Sequence, residues 1–392
     1  MLRNVYIFAP VMNKSRFLVG LIALVSINLA TSCDDAETGI SYKKIVFPVG
    51  EAVWRSDVSD EDKVVITGLV NNMVKVEACQ FYMGIQSRKP KQANYFSSYG
   101  SRDTIWLSAD KQTAYWRDLK SADTIWYNPA DYHFLDTIKT KRDTTLFTCI
   151  NRIGPYWVGP VIEVSMPDYF IGRYEITQSE WTAVMHRQPS GHYCIIDHSI
   201  QRSWHNEIGE GDRYAAYNIW YEDAVAFCDS LSAKTGLSFR LPTEAEWECA
   251  ARGGRYSRGY RYSGADTQGS AGWVYSNTAA KMKGYDDYGI HQGGEKVANE
   301  LGLYDMTGNV SEWVANCYYR YAATDSINPQ GKAPLNNGQD TLILRGGSWM
   351  QRNNYDFCPS NRNTCVMGNY QTEDEKQSAF ANCGFRICIS PD

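Results

Sequence analysis

The chain has 392 residues, of which 43% are hydrophobic and 21% are charged, and its formal net charge is −5. The hydrophobic fraction is sufficient for the packed core of one large domain or two. The acidic balance argues against nucleic acid as a partner, because phosphate backbones are bound by basic surfaces.

The chain begins with a segment typical of a secretory signal. Residues 17–30 form an apolar run that follows basic residues and leads into small residues before Cys33. The run is too short for a membrane span. Small residues directly before a cysteine resemble a bacterial lipobox, in which the cysteine is lipidated; the alternative is an ordinary signal peptide with Cys33 incidental. We expect residues 1–32 to be a lipoprotein signal peptide and Cys33 to anchor an exported protein to the membrane of a bacterial cell envelope.

The next part of the chain divides into a lead-in, a pair of strands and a long segment of its own composition. Residues 33–69 are expected to be a polar tether and lead-in, with the main domain over 70–392. Alternating apolar residues at 73–76 and 81–84 predict strands. Residues 87–159 are rich in Asp, Thr and aromatic residues, and the tripeptide Asp-Thr-Ile recurs there. Runs of β-branched and aromatic residues predict strands and hairpins in this segment.

Three helices are predicted in the main domain. Thr177 with Glu180, and Thr243 with Glu246, each form a capping box, in which the hydroxyl and the carboxylate satisfy backbone donors at a helix start. A further helix, with apolar residues at helical spacing over 224–231, lies between them. These patterns predict core helices whose first acids act as caps.

Irregular loops are predicted between residues 255 and 299, where Tyr, Gly, Asp and Ser show little periodicity. Such loops need metal ions or disulfides to hold them. Ten cysteines follow Cys33, an even number that permits disulfides in an exported chain, although the sequence does not define their pairing. Neither the cysteine nor the histidine spacing predicts a zinc or iron site.

Residues 302–313 carry glycines, an asparagine and oxygen-bearing side chains between apolar residues. This chemistry predicts a tight loop whose backbone oxygens turn inward. Calcium takes oxygen ligands from carboxylates and carbonyls. The loop offers the side chains of Asp305 and Glu312, with the carbonyls of Gly308 and Val310 between them. The alternative is a turn whose Asp and Asn side chains satisfy only local backbone donors.

Four segments in this order resemble the signature of the formylglycine-generating enzyme family, also called sulfatase-modifying factor domains. The segments are residues 174–178, 240–254, 302–313 and 345–349, the last followed by Gly384, Phe385 and Arg386. The resemblance implies an α+β, C-type-lectin-like fold of the formylglycine-generating-enzyme type, with little regular secondary structure.

The resemblance has two consequences beyond the fold. The family binds a structural calcium at the positions of Asp305, Gly308, Val310 and Glu312, so calcium is the expected cofactor of this loop. Residues 87–159 interrupt the family's pattern and are an expected insertion. Because inserted surface segments often carry binding specificity, the insertion is a candidate for partner recognition.

The resemblance also identifies where catalysis is expected. Members of the family use copper(I), held by two cysteine thiolates, to oxidise a substrate cysteine with molecular oxygen, and thiolates are soft ligands suited to copper(I). Here the two positions are occupied by Gln351 and Asp356, while Ser348 matches the motif. Cys358 and Cys365 lie close by in the sequence and offer a shifted pair of sulfurs; a structural disulfide or buried thiols are the alternatives.

Two functions follow from this pattern. The first is an envelope lipoprotein whose domain lacks the copper site and serves as a binding or assembly module for a protein or peptide, with a glycan as a further candidate. The second is an active copper-dependent oxidase that converts a sulfatase cysteine to formylglycine, with Cys358, Cys365 and Ser348 as its catalytic residues. The side chains that could line a groove are Trp349, Arg345, Arg352 and Tyr355; the alternative, favoured for any one of them, is core packing and salt bridging.

Overall fold

A computed structural model describes the larger part of the chain. Side chains are described for residues 47–84, 162–191, 203–278, 287–319, 327–329, 341–352, 356–365 and 381–391. Backbone alone is described for strands at 32–34 and 41–46 and for further strands between 95 and 149. The predicted signal segment lies outside the described residues, apart from the backbone of the short strand that contains Cys33.

Regular structure is distributed over short elements. The described helices are α1 (Asp60–Asn71), α2 (Gln178–Met185), α3 (Tyr221–Thr235), α4 (Glu244–Ala251) and α5 (Gln268–Ala271). The strands are β1 (Ser32–Asp34), β2 (Ser41–Phe47), β3 (Gly50–Val53), β4 (Met73–Val76), β5 (Cys79–Met83), β6 (Tyr95–Phe96), β7 (Arg102–Asp103), β8 (Ile105–Leu107), β9 (Ala114–Arg117), β10 (Thr124–Tyr127), β11 (Phe134–Lys139), β12 (Thr145–Cys149), β13 (Ile162–Met166), β14 (Tyr169–Gly172), β15 (Ser311–Cys317), β16 (Thr341–Arg345), β17 (Asn363–Val366), β18 (Cys383–Gly384) and β19 (Cys388–Ile389). This mixture of short helices and strands confirms the predicted α+β class with little regular secondary structure. Among the described helices, none is both long and apolar enough to cross a membrane.

The strands on either side of the predicted insertion pair with each other. β5 and β13 are antiparallel, with Met83 opposite Ile162 and Cys79 opposite Met166. The chain therefore leaves the domain at the end of β5 and returns at the start of β13 in the same place. The segment predicted as an insertion, 87–159, lies between these two ends.

The inserted segment contains the predicted strands and hairpins. Five of its strands form one antiparallel sheet in the order β10-β9-β8-β12-β11. The Asp-Thr-Ile repeats contribute residues to three of these strands, β8, β10 and β11. Alternation of β-branched and aromatic residues explains why this segment forms strands rather than helix.

Helix α1 belongs to the main core, although the sequence-based domain boundary was placed at residue 70. Ser59 caps the helix by accepting the Asp62 N–H at 3.1 Å. The helix buries Ile66, Leu69 and Val70 in the same apolar cluster as the side chains of α2 and α3. The described domain thus starts before residue 70, because this amphipathic helix closes one side of the core.

Both predicted capping boxes are confirmed. The Thr177 backbone donates to Glu180 at 2.8 Å at the start of α2, and Thr243 donates to Glu246 at 2.7 Å at the start of α4. In each box the threonine hydroxyl accepts the backbone N–H of the glutamate in return. The predicted helix between them is α3, which ends where Gly236 adopts a left-handed conformation with φ 71°.

The later sequence motifs meet in one four-stranded sheet, in the order β17-β16-β15-β18. Glu312 on β15 lies opposite Arg345 on β16 on one side and Gly384 on β18 on the other. Every residue of β15 except Ala315 is buried. The pairing therefore places the ends of three motifs next to each other in the interior.

Candidate functional site

Glu312 forms the centre of a buried ion pair that joins three of the sequence motifs. Arg386 donates to its two carboxylate oxygens at 2.7 and 2.6 Å, and the Trp247 indole N–H donates at 2.7 Å. All three side chains are fully buried. Both oxygens of Glu312 are thus already hydrogen-bonded by protein donors, and the carboxylate fixes the arginine and tryptophan of two other motifs.

A second buried charge network surrounds helix α4. Arg362 binds Glu244 through two hydrogen bonds of 2.6 and 2.7 Å, and Arg345 binds Glu248. Arg252 also donates to Glu248, at 2.7 Å. Arg345, expected to line a groove, is completely buried in this network. Its position follows from its partners, because a buried guanidinium needs carboxylates around it.

Asp305 lies in the predicted calcium loop in an unusual environment. Its backbone is left-handed, with φ 57°, and its side chain is buried. One carboxylate oxygen accepts the Gly294 N–H at 2.8 Å, while Oδ1 has no hydrogen-bond partner among the described residues. Burial raises the pKa of Asp305 to about 6. A buried carboxylate oxygen without a donor is a position where a cation is favourable.

Glu175 packs beside this loop and was not identified as a site residue from the sequence. Its carboxylate accepts the Val310 N–H at 3.0 Å and the Asn309 side-chain amide at 2.5 Å. Burial, followed by the nearby Asp305 and Glu312 carboxylates, raises the pKa of Glu175 well above its usual value. The sequence signals for it were its place in the family-like segment 174–178 and its position just before the first capping box.

The four predicted calcium residues differ in which of their atoms already have hydrogen-bond partners. Val310 uses its N–H on Glu175, and Gly308 donates its N–H to the Gly346 carbonyl at 3.0 Å. Neither bond occupies the carbonyl oxygens that were predicted as ligands. Asp305 retains an unbonded carboxylate oxygen, whereas the Glu312 oxygens bind Arg386. In the part of the chain with described side chains, no group of three or more His, Cys, Asp or Glu residues is arranged to hold a metal ion.

The turn after Arg345 is closed by the residue at the first expected cysteine position. Gly346 and Gly347 are both left-handed, with φ 83° and 74°, and the chain turns back at Ser348. The Gln351 side-chain carbonyl accepts the Ser348 backbone N–H at 2.8 Å. A Cβ atom on Gly347 would lie 2.7 Å from that same oxygen. The glutamine therefore caps the turn in a space that admits only glycine beside it.

Cys358 and Cys365, the shifted pair of sulfurs, pack in different parts of the interior. Cys358 is half-buried against a small apolar cluster that includes Phe357 and Tyr262, and burial raises the pKa of its thiol. Cys365 lies on β17 inside the main core cluster, which also contains Cys383. The structure thus assigns the two thiols to separate clusters. Ser348, the third predicted catalytic residue, is buried in the turn.

Trp349 is also an interior residue. Its indole donates to the Asn382 side chain at 2.8 Å, and its ring meets Tyr288 edge to face at 5.2 Å. Arg352 remains exposed, with its guanidinium 4.5 Å from the centre of the Tyr275 ring. Of the expected groove residues with described side chains, Arg352 alone is at the surface; Tyr355 lies outside the described residues.

These contacts define an α+β domain in which distant sequence motifs meet through buried arginine–glutamate pairs. Residues 137–391 match the family described as the sulfatase-modifying factor enzyme 1-like domain. The chain belongs to this family, which confirms the resemblance derived from the motifs.

Three curated proteins are similar to part of this chain. The chaperone protein LppX of Paenibacillus barcinonensis is 27% identical over 229 residues, which cover 48% of this chain and 71% of LppX. The formylglycine-generating enzyme of Mus musculus is 32% identical over 179 residues, covering 43% of this chain and 42% of that enzyme. The inactive C-alpha-formylglycine-generating enzyme 2 of Bos taurus is 34% identical over 197 residues, covering 48% and 56%. The chain thus spans about half the length of the two mammalian relatives.

Proposed function

We propose that this protein is an envelope-anchored binding or assembly module that does not perform the oxidation typical of the family's enzymes. The observation that carries the proposal is the turn at Ser348, whose N–H is bound by the Gln351 side chain at 2.8 Å. An amide fixed in this position is a hard, neutral group, whereas copper(I) is held by soft thiolates.

The neighbouring cysteines do not compensate for this loss. A thiol must lose its proton to bind a metal, and burial favours the protonated form of Cys358. Cys365 packs in a different apolar cluster, on a strand of the main core. Two thiols on separate clusters require a rearrangement of packed side chains before they can share one copper ion.

The relatives support a role in binding. One relative is named as an inactive formylglycine-generating enzyme, so the family's fold occurs without its activity. Another is named as a chaperone protein, a class that acts by binding other proteins. Both names favour a protein or peptide as the partner of this chain over a small substrate, with a glycan as the less favoured ligand.

We infer two candidate surfaces for such a partner. The exposed Arg352 guanidinium lies over the Tyr275 ring, and we call these two side chains the Arg352–Tyr275 surface. Arginine and tyrosine are enriched at protein interfaces, where each combines apolar contact with hydrogen bonding. The second candidate is the sheet β10-β9-β8-β12-β11, which we call the inserted sheet. The segment that contains it begins and ends beside the paired residues Met83 and Ile162.

The anchoring part of the proposal rests on the lipobox-like sequence before Cys33. We expect the mature chain to begin at a lipidated Cys33 and to partition with membranes. Mass spectrometry of the amino-terminal peptide from membrane fractions tests this directly. A Cys33→Ser variant is the matched control and should be released as a soluble protein; a wild-type chain that carries no lipid contradicts the anchoring.

A pair of assays on the same purified protein separates binding from oxidation. In the first, a sulfatase-type peptide with one cysteine is incubated with protein, copper and oxygen, and the aldehyde is trapped with a hydrazide. In the second, light scattering follows the aggregation of a chemically denatured exported hydrolase with and without the protein. The proposal predicts no aldehyde and slower aggregation.

Charge reversal on the Arg352–Tyr275 surface tests, in the aggregation assay, whether this surface binds the partner. Arg352→Glu should reduce the protection against aggregation, while Lys63→Glu on α1, where Lys63 pairs with the exposed Asp60, serves as the matched control. Aldehyde formation above the level of a copper-only blank contradicts the proposal and supports the oxidase. Full protection by the Arg352→Glu variant removes this surface from the binding site and leaves the inserted sheet.

A further inference from the structure

Cys79 and Cys249 form a close thiol pair, although 170 positions separate them in the sequence. Their sulfur atoms lie 3.4 Å apart. Cys79 is the first residue of β5, and Cys249 is in the middle of α4. The sulfurs need to approach by only about 1.3 Å to reach the length of a disulfide bond.

The two thiols differ in exposure, as an attacking and a resolving cysteine do. Cys79 is partly exposed and Cys249 is buried. The hydrogen bond from Cys249, with some help from the Arg255 guanidinium, lowers the pKa of Cys79. The same hydrogen bond, together with burial, raises the pKa of Cys249. The thiolate is the nucleophile in disulfide exchange, so Cys79 is the group that reacts first.

Charged neighbours support this difference between the Cys79 and Cys249 thiols. Arg255 lies at the surface and pairs with Glu77 at 3.0 Å. On the inner side, Cys249 is close to the Tyr169 hydroxyl and to the Glu248 carboxylate. One positive charge near the outer sulfur and one negative charge near the inner sulfur favour the thiolate on Cys79.

We propose that Cys79 and Cys249 are a redox-active pair that closes to a disulfide when the protein meets a disulfide oxidant. With glutathione disulfide, the Cys79 thiolate attacks one sulfur, forms a mixed disulfide and releases one glutathione thiolate. Cys249 then loses its proton and attacks the Cys79 sulfur, releasing the second glutathione. Two protein thiols are oxidised, one glutathione disulfide is reduced to two glutathione molecules, and two protons pass to solvent or to the released thiolates.

The bond would hold the base of the inserted sheet against the charge network. β5 ends at Met83, next to the start of the insertion, and Gly84 donates its N–H to Glu248 at 2.8 Å. A disulfide between β5 and α4 closes a long loop, for which cross-linking restricts the unfolded chain most strongly. The inference is independent of copper binding and of the partner in the proposed function.

The experiment uses the mature chain, reduced and then equilibrated with glutathione disulfide, followed by alkylation and non-reducing peptide mapping. The wild type should yield a peptide linked between Cys79 and Cys249, with a melting temperature several degrees above that of the reduced protein. Cys249→Ser should stop at a glutathione adduct on Cys79. Cys79→Ser should leave Cys249 unmodified, because the inner thiol is not exposed.

The variants retain side-chain volume, and circular dichroism checks that each is folded. Since the wild-type map needs no variant, a folding failure of either one leaves the test intact. A Cys79 that stays reduced at saturating glutathione disulfide overturns the proposal. A linkage of Cys79 to any other cysteine, Cys149 or Cys194 included, overturns it as well.

Discussion

The buried pair of Glu312 and Arg386 allows a quantitative test of how the domain is held together. Replacing Arg386 by Met leaves the Glu312 carboxylate buried with one remaining side-chain donor, Trp247. It also removes the donors to the backbone carbonyls of Gly172 and Tyr304, at 2.9 and 3.0 Å. Breaking a buried ion pair by removing one partner costs about 3–5 kcal/mol. At roughly 2–4 °C per kcal/mol, the melting temperature should fall by about 6–20 °C.

The assay is urea unfolding followed by tryptophan fluorescence, with thermal melting in parallel. Arg255→Met is the matched control, because Arg255 pairs with Glu77 at the surface at a similar distance of 3.0 Å. Exposed pairs contribute about 0–1 kcal/mol, so this variant should unfold almost as the wild type does. The double variant Glu312→Gln with Arg386→Met should recover part of the loss, since no carboxylate then remains unpaired. A loss below about 1 kcal/mol for Arg386→Met would refute the view that this pair joins the motifs.

Three further predictions concern the loop and the turn. Burial raises the pKa of Asp305 from 3.8 to about 6, so the folded state binds this proton more tightly than the unfolded state. The protonated Asp305 carboxyl therefore contributes about 3 kcal/mol at most to the free energy of unfolding. This contribution is fully present below about pH 4 and is lost as the pH rises through 6. In metal-free protein, Asp305→Asn should reduce the change of the free energy of unfolding with pH, measured by urea titrations between pH 4 and 7. An unchanged pH dependence would show that another group causes it. For calcium, we expect the melting temperature at pH 7.5 to fall on addition of a chelator, because an ion bound only by the folded state stabilises it. Asp305→Asn should remove the difference, and identical wild-type curves with and without chelator would eliminate the site. Gln351→Ala should cost about 1 kcal/mol by leaving the Ser348 N–H without its acceptor, whereas Gln80→Ala, at an exposed bond of 3.3 Å to Ser165, should be neutral. Equal stability of these two variants would argue against the capping role of Gln351.

Local features of the fold were predicted well from the sequence. The capping boxes at Thr177 and Thr243 were identified because their hydrogen bonds span only three residues. The family was identified because its motifs are short, contiguous and ordered. The inclusion of α1 in the core was missed, since a polar lead-in and an amphipathic helix differ only in what packs against them.

Features that depend on distant residues were not predicted. Arg345 was expected at a groove from the family resemblance, with core packing and salt bridging as the alternative, and the structure agrees with the alternative. Its burial is explained by Glu248, which is 97 positions away in the sequence. The Cys79–Cys249 pair likewise arises from the pairing of β5 with β13 and the packing of α4 behind them. No local sequence pattern predicts such a contact.

The backbone of the predicted calcium loop agrees with the sequence-based expectation, whereas one of its neighbours was not predicted. Its backbone was expected to be tight, and Asp305, Gly308 and Asn309 are indeed left-handed. The residue missed was Glu175, which reaches the loop from the first motif and accepts the Val310 N–H. A prediction made from one segment of the sequence does not include side chains, such as that of Glu175, that other segments bring next to it.

We propose that the copper site of the family's enzymes is absent from this chain. This proposal is tested most directly by copper(I) titration of the lipid-free mature protein under reducing conditions, read by competition with a chromophoric chelator. We expect the chelator to retain its copper, with the same titration curve for wild type and Cys358→Ala. One equivalent of tight binding that disappears in Cys358→Ala would contradict it and would support the copper-dependent oxidase, with the aldehyde assay on a sulfatase-type peptide as the next step.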